Sequence, residues 1–203
     1  MSHNFKNCVL ILYFFSTISG NTMRETDQQN KQIVEKATFG AGCFWCVEAI
    51  FERIEGVIDV RAGYTGGKIE NPSYEDVCNG ETGHVEVIQL DFNPQIIGFK
   101  QLLDIFWKSH DPTTLNRQAA DIGTQYRSAV FYNSKKQQDI AEQSMKAVDN
   151  AKMYENPIVT EITPLVRFYP AEEYHQDYYR RNTNAPYCQA VIHPKLKKLF
   201  NSD

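Results

Sequence analysis

The chain has 203 residues, 42% of them hydrophobic and 23% charged, which is enough to bury one sizeable core and short for two. Its formal charge of -4 and the scattering of Lys and Arg among acids exclude the basic footprint of a nucleic-acid-binding protein. Of the five cysteines, Cys8, Cys43, Cys46, Cys78 and Cys188, the first lies in an apolar leader. The other four are too few and too far apart for a disulfide-built scaffold.

Lys6 precedes the apolar run at residues 8–18 (CVLILYFFSTI), which Ser19 and Gly20 close. A weak positive charge, an apolar stretch shorter than a membrane span and a small-residue exit describe a secretory signal peptide over residues 1–20. A functional leader predicts a secreted or periplasmic protein. The alternatives are an uncleaved anchor, or a cytoplasmic protein that starts at Met23. Residues 21–36 are polar and lack aromatics, as in a flexible linker, so the folded domain is expected over residues 37–203.

Val47, Ile50, Phe51 and Ile54 recur at helical spacing with Gly56 as the stop, so a first helix opens close to Cys43. Ile58, Val60, Ala62 and Tyr64 alternate with polar residues or glycine in a strand that ends at Gly66 and Gly67. Residues 85–92 form another strand. Phe99, Leu102, Leu103, Phe106 and Trp107 mark an amphipathic helix. Residues 126–132 read as a strand, Ala141, Met145 and Val148 as a helix, residues 159–168 as a strand and residues 172–181 as a short final helix. This order predicts an α+β domain: a two-layer α/β sandwich on a mixed sheet.

The segment GCFWC at residues 42–46 concentrates the chemistry. A thiol at a helix N-terminus is favoured as the thiolate by unpaired N–H groups and the helix dipole, and Cys43 is placed for that effect. Cys46 is three residues on, so the two sulfurs can meet. The pair reads as two buried apolar residues, as half of a zinc site or as a redox couple. No second ligand pair has matching spacing, which argues against metal. Phe44 and Trp45 depart from the thioredoxin habit, and would line an apolar cleft beside the sulfur or pack in the core.

Strict alternation in the strand at residues 85–92 places Glu86 on the face of Ile88, Leu90 and Phe92. A carboxyl group on that packed face is desolvated and stays protonated near neutrality, which makes it a candidate acid. The alternative is a strand-end glutamate that reaches water. Tyr74, after the turn at Pro72, and Tyr126, after Asp121 and Gly123, are phenols able to donate from an apolar pocket.

Five blocks go further: GCFWCVEAIFERIEGV (residues 42–57), GYTGG (63–67), NPSYEDVCNGETGHVEVI (71–88), FWKSHDPTTLNRQAADIGTQYRS (106–128) and YHQDYYRRN (174–182). In this order they closely resemble the peptide methionine sulfoxide reductase A family, from about Ala37 to the C-terminal region. The resemblance implies a ferredoxin-like core and a long irregular C-terminal segment. It implies Cys43 as the nucleophile on the sulfoxide sulfur, Phe44 and Trp45 as holders of the substrate methyl group, and Glu86 as the acid to the departing oxygen. Tyr74 and Tyr126 would hydrogen-bond that oxygen, with Asp121 orienting the site.

Cys43 would become a sulfenic acid, and a second thiol would condense with it to a disulfide. For this resolving role the resemblance favours Cys188 in NAPYCQAVI (residues 184–192). Cys46 is the alternative or a secondary relay, because residues three apart on a regular helix cannot close a disulfide undistorted. Cys78 is read as structural, and His84, His110 and His175 as hydrogen bonders that hold loops. The resemblance further implies no cofactor and no metal, a thioredoxin-like or other dithiol reductant, methionine sulfoxide free or in oxidised proteins as substrate, and a monomer. Two other readings compete: a thioredoxin-like oxidoreductase that uses Cys43 and Cys46, and a binding module for methionine-rich segments.

Overall fold

The computed structural model describes Met1 and residues 33–200; the expected signal peptide, Cys8 and most of the expected linker lie outside the described residues. The first strand, β1 (Glu35–Ala41), is followed by α1 (Phe44–Phe51), β2 (Val57–Thr65), α2 (Tyr74–Cys78), β3 (Val85–Phe92) and α3 (Phe99–Ser109). A small hairpin, β4 (Arg117–Gln118) and β5 (Asp121–Ile122), leads into β6 (Ser128–Tyr132) and α4 (Lys135–Asn150). The C-terminal region contains β7 (Glu161–Pro164), β8 (Tyr169–Pro170), α5 (Tyr178–Arg181), a π-helical turn at Cys188–Ile192 and α6 (His193–Phe200).

The main sheet has six strands in the order β7-β6-β1-β3-β2-β8. Its centre, β6-β1-β3-β2, is antiparallel throughout, and only β7 joins in parallel, to β6. With α1 between β1 and β2 and α3 between β3 and β6, this is the split βαβ arrangement of a ferredoxin-like core. The sheet is mixed and helices cover it, as the residue pattern implies.

Alternation along the central strands explains the layers. Phe39 and Ala41 of β1 and Ile88, Leu90 and Phe92 of β3 join Val47, Ile50 and Phe51 of α1 and Leu102, Leu103 and Phe106 of α3 in one buried core. Phe39 has Phe51, Phe99 and Phe106 within 5.9 Å, centroid to centroid. The opposite residues of β3, Val85 and Val87, form a second cluster with Ala129 and Phe131 under Leu165 and Phe168. Both faces of β3 are therefore buried, and Glu86 lies on the helix-covered one.

Several boundaries differ from the sequence reading, each for an identifiable reason. Glu35 and Lys36, expected in the linker, already pair with Phe92 and Asp91 in β1, because ladder bonds do not require apolar side chains. Tyr126 does not open β6; it ends a 3₁₀ turn at Thr124–Tyr126 that Gly123 allows at φ 151. The strand expected at residues 159–168 is limited to β7. The helix expected at residues 172–181 is broken into a 3₁₀ turn at Glu173–His175 and α5, since Asp177 between them is left-handed (φ 52, ψ 30). Nor is it the last helix, because the chain, irregular through much of residues 151–187, closes in α6.

Candidate active site

Gly42 sets the geometry. It joins β1 to α1 at φ +84, and a Cβ there would lie 2.7 Å from Gln118, so only glycine makes this turn without strain. Cys43 then takes the N-cap position of α1 with φ -54 and ψ 123, outside the helical region, while its carbonyl accepts the N–H groups of Cys46 and Val47. Cys46 is within the helix. The pair is not on regular helix, so the geometric objection to a Cys43–Cys46 disulfide loses its premise.

Cys43, Phe44, Trp45, Tyr74, Glu86, Asp121, Tyr126 and Tyr187 line a cavity of about 220 Å³. Five separate segments converge there: the start of α1, the start of α2, the first residues of β3, the β4–β5 region with its 3₁₀ turn, and Tyr187 just before the π-helical turn. Every expected catalytic and substrate-binding residue is therefore in one place.

Glu86 is 1% exposed, which removes the alternative of a water-reaching glutamate. Its Oε2 accepts the N–H of Phe44 at 3.1 Å, the first free donor of α1. Burial pushes its carboxyl up to about 8, against that hydrogen bond, with Asp121 and Cys46 adding in the same direction. At neutral pH it is a carboxylic acid. Burial also raises Tyr74 and Tyr126 above the usual phenol range, so both remain O–H donors.

The sulfurs differ from the simple thiolate expectation. Burial, reinforced by the hydrogen bond to Cys46, raises the Cys43 thiol well above its ordinary value, opposite to the shift expected of a helix N-terminus alone. The bond from Cys43 draws Cys46 down to about 7, with Lys195 and Tyr187 helping. The first proton thus leaves a coupled pair, whose negative charge the two sulfurs share.

Tyr187 is the site residue that motif reading missed. Its hydroxyl donates to Asp121 Oδ2 at 3.0 Å and lies 3.7 Å from Cys46 Sγ. It sits directly before Cys188, and that position beside a cysteine was the available signal. Asp121 holds Tyr187 rather than contacting the sulfurs directly. Cys188 is fully buried in the π-helical turn, outside the cavity lining, and close enough to feel the charge of Cys46.

A strap at residues 172–178 supports the walls. Glu172 accepts from Tyr64 Oη at 3.0 Å and from the N–H of Tyr74 at 2.8 Å. His175 Nδ1 accepts the indole N–H of Trp45 at 3.1 Å, and the Tyr178 ring stacks on Trp45 at 3.7 Å and 8°. His84 holds the loop between β2 and β3 through Gly67 and Ile69. His110 bridges Phe106 and Ser128 and is kept neutral by burial. Cys78 is exposed rather than packed, at the end of α2 within hydrogen-bonding reach of Tyr74. Among the described residues no group of three or more His, Cys, Asp or Glu is arranged to hold a metal ion.

Comparison with known proteins gives the same assignment. The family model for peptide methionine sulfoxide reductase matches residues 35–203. A peptide methionine sulfoxide reductase MsrA 1 from Rhodopirellula baltica is 56% identical over 82% of this chain and 85% of its own. The reduced form of Mxr1 from Saccharomyces cerevisiae superposes with a TM-score of 0.73 at 34% identity, covering 78% of this chain and 91% of that one. Mxr1 in complex with Trx2 matches at a TM-score of 0.52 and 25% identity, over 73% of this chain and 87% of that one. Matched over most of its length in sequence and fold, this chain belongs to the peptide methionine sulfoxide reductase A family.

Proposed function

We propose that Cys43 and Glu86 together reduce the S epimer of methionine sulfoxide, free and within oxidised proteins, to methionine. The observation that carries this reading is a buried carboxyl group, Glu86, which burial keeps protonated near neutrality, sharing a small cavity with the Cys43 thiol. Phe44 and Trp45 provide the apolar wall for the S-methyl group. Tyr74 and Tyr126 donate to the sulfoxide oxygen, whose bond to sulfur weakens as Glu86 transfers its proton.

Sulfoxide plus the Cys43 thiol yields methionine and a Cys43 sulfenic acid, so the oxygen moves from substrate to enzyme. A second thiol displaces that oxygen as water and forms a disulfide, and a dithiol donor of thioredoxin type returns both sulfurs to thiols. The Trx2 complex of Mxr1 supports that choice of donor. The N-cap geometry of Cys43 and its hydrogen bond to Cys46 support Cys46 as a first resolving thiol, with Cys188 behind it. The cavity lining is complete within one chain, so the proposed chemistry needs no second copy.

Incubation with each sulfoxide epimer of a blocked methionine and a dithiol tests the activity; the S epimer is expected to be consumed, and reduction of the R epimer alone refutes the reading. Mass mapping after one turnover without reductant identifies the partner: a Cys43–Cys46 bond is expected, and a Cys43–Cys188 bond restores the other resolver. The apolar run at residues 8–18 supports an exported enzyme served by an extracytoplasmic dithiol. A mature protein that begins before residue 8 contradicts cleavage of that leader.

A further inference from the structure

Glu48 lies two residues beyond Cys46 on α1, is 1% exposed and has no part in the chemistry above. Among the described residues it forms no ion pair; the nearby Arg180 goes to Glu52 and Asp177 instead. Its two oxygens are both committed to backbone: Oε1 accepts the N–H of Asp177 at 3.0 Å and Oε2 that of Tyr178 at 3.2 Å. A buried carboxylate without a cation is costly unless hydrogen-bonded, so what these two bonds fix should matter.

They fix a strained point. Asp177 is left-handed (φ 52, ψ 30), a conformation unfavourable for a residue with a Cβ. Tyr178, next in the chain, stacks on Trp45, and His175, two residues before Asp177, accepts the indole N–H. Both the stacked face and the polar edge of Trp45 are thus held by the segment that Glu48 anchors.

We propose that Glu48 is a positioning residue for substrate binding: by tying residues 177 and 178 to α1 it fixes Trp45 as a wall of the sulfoxide pocket. The inference rests on the assignment of the cavity to methionine sulfoxide. It reaches the reaction only through Trp45, chiefly by way of Tyr178, whose N–H it accepts, so it predicts weaker binding rather than slower chemistry. A glutamine at this position turns a hydrogen of its own toward one of the two N–H groups and loses that bond.

The test is the concentration dependence of the single-turnover burst with methionine sulfoxide at pH 8, where Glu48, at about 7, is mostly carboxylate. Glu48→Gln should raise the half-saturation concentration about tenfold, the loss of one charge-assisted hydrogen bond, and change the saturating rate less than about threefold. Tyr178→Ala should raise it similarly, and the double variant no more than Tyr178→Ala alone, because the two act through one contact. An unchanged half-saturation in either single variant, additive effects in the double, or a loss confined to the saturating rate overturns the proposal. If Glu48→Gln does not fold, Tyr178→Ala decides by the same criterion. A wild-type chain that consumes neither sulfoxide epimer refutes the assignment of the cavity and the inference with it; a normal wild-type burst with insensitive variants refutes the inference alone.

Discussion

Replacing Glu86 by Gln removes one transferable proton and little else. The amide oxygen can keep the bond from the Phe44 N–H, and the amide nitrogen can still donate into the cavity. What is lost is proton transfer, typically worth about 10²–10⁴-fold. Because a hydrogen-bond donor remains, we expect the low end, a burst of sulfenate formation slowed about 10²-fold at pH 7.

The pH dependence makes the test specific. With the carboxyl at about 8, the ratio of acid to carboxylate is about ten to one at pH 7 and about one to ten at pH 9. The wild-type burst should therefore lose about tenfold of its Glu86-dependent factor over that range, after a rise near pH 7 as the thiol pair loses its first proton. In Glu86→Gln the alkaline fall should vanish while the rise remains. Rapid-quench measurement across pH 6 to 10 reads both limbs. A variant burst within threefold of wild type at pH 7, or an alkaline fall that persists in the variant, refutes Glu86 as the acid.

The same carboxyl groups govern stability. Burial raises Glu86 to about 8 and Glu48 to about 7 from an ordinary 4.5, so the native state binds these protons more tightly than the unfolded chain. The resulting stabilisation is complete below about pH 4.5 and is lost as pH rises through the native values. Burial lowers His110 from 6.5 to about 4, which acts in the opposite sense below pH 6.5. Between pH 6.5 and 8 only the glutamates of these three contribute, and Glu86 alone should remove about 2 kcal/mol of unfolding free energy. Urea unfolding of Glu86→Gln should show a shallower decline across that window; an equal decline contradicts the buried-acid assignment. Gly42→Ala should destabilise the fold by about 1–3 kcal/mol, through the positive φ and the clash with Gln118, and should slow the burst by moving Cys43. A fully active variant with an unchanged melting temperature contradicts the turn argument.

Much of this protein was legible in its residues. The 2.0-residue alternation of β3 and the 3.6-residue spacing of α3 fall where the pattern places them, since each element buries a regular apolar face. Glu86 stood out because it breaks such a face, and Cys43 because it precedes a helix. The motif blocks carried the family.

Tertiary structure decided what depends on residues far apart in the chain. Tyr187 reaches the sulfurs from 141 positions beyond Cys46, and its place beside Cys188 is the one local mark that sets it apart from the other tyrosines. The strap at residues 172–178 has no regular periodicity, so its hold on Trp45 and Tyr74 is visible only where the chain folds back. The thiol chemistry of α1 changed most between the two levels. Sequence placed Cys43 at a helix start and predicted a stabilised thiolate. The fold buried that sulfur against Cys46, so desolvation raises the thiol and the first proton comes to belong to the pair. Spacing along a chain establishes which groups can meet; how dry their meeting place is depends on everything packed around it.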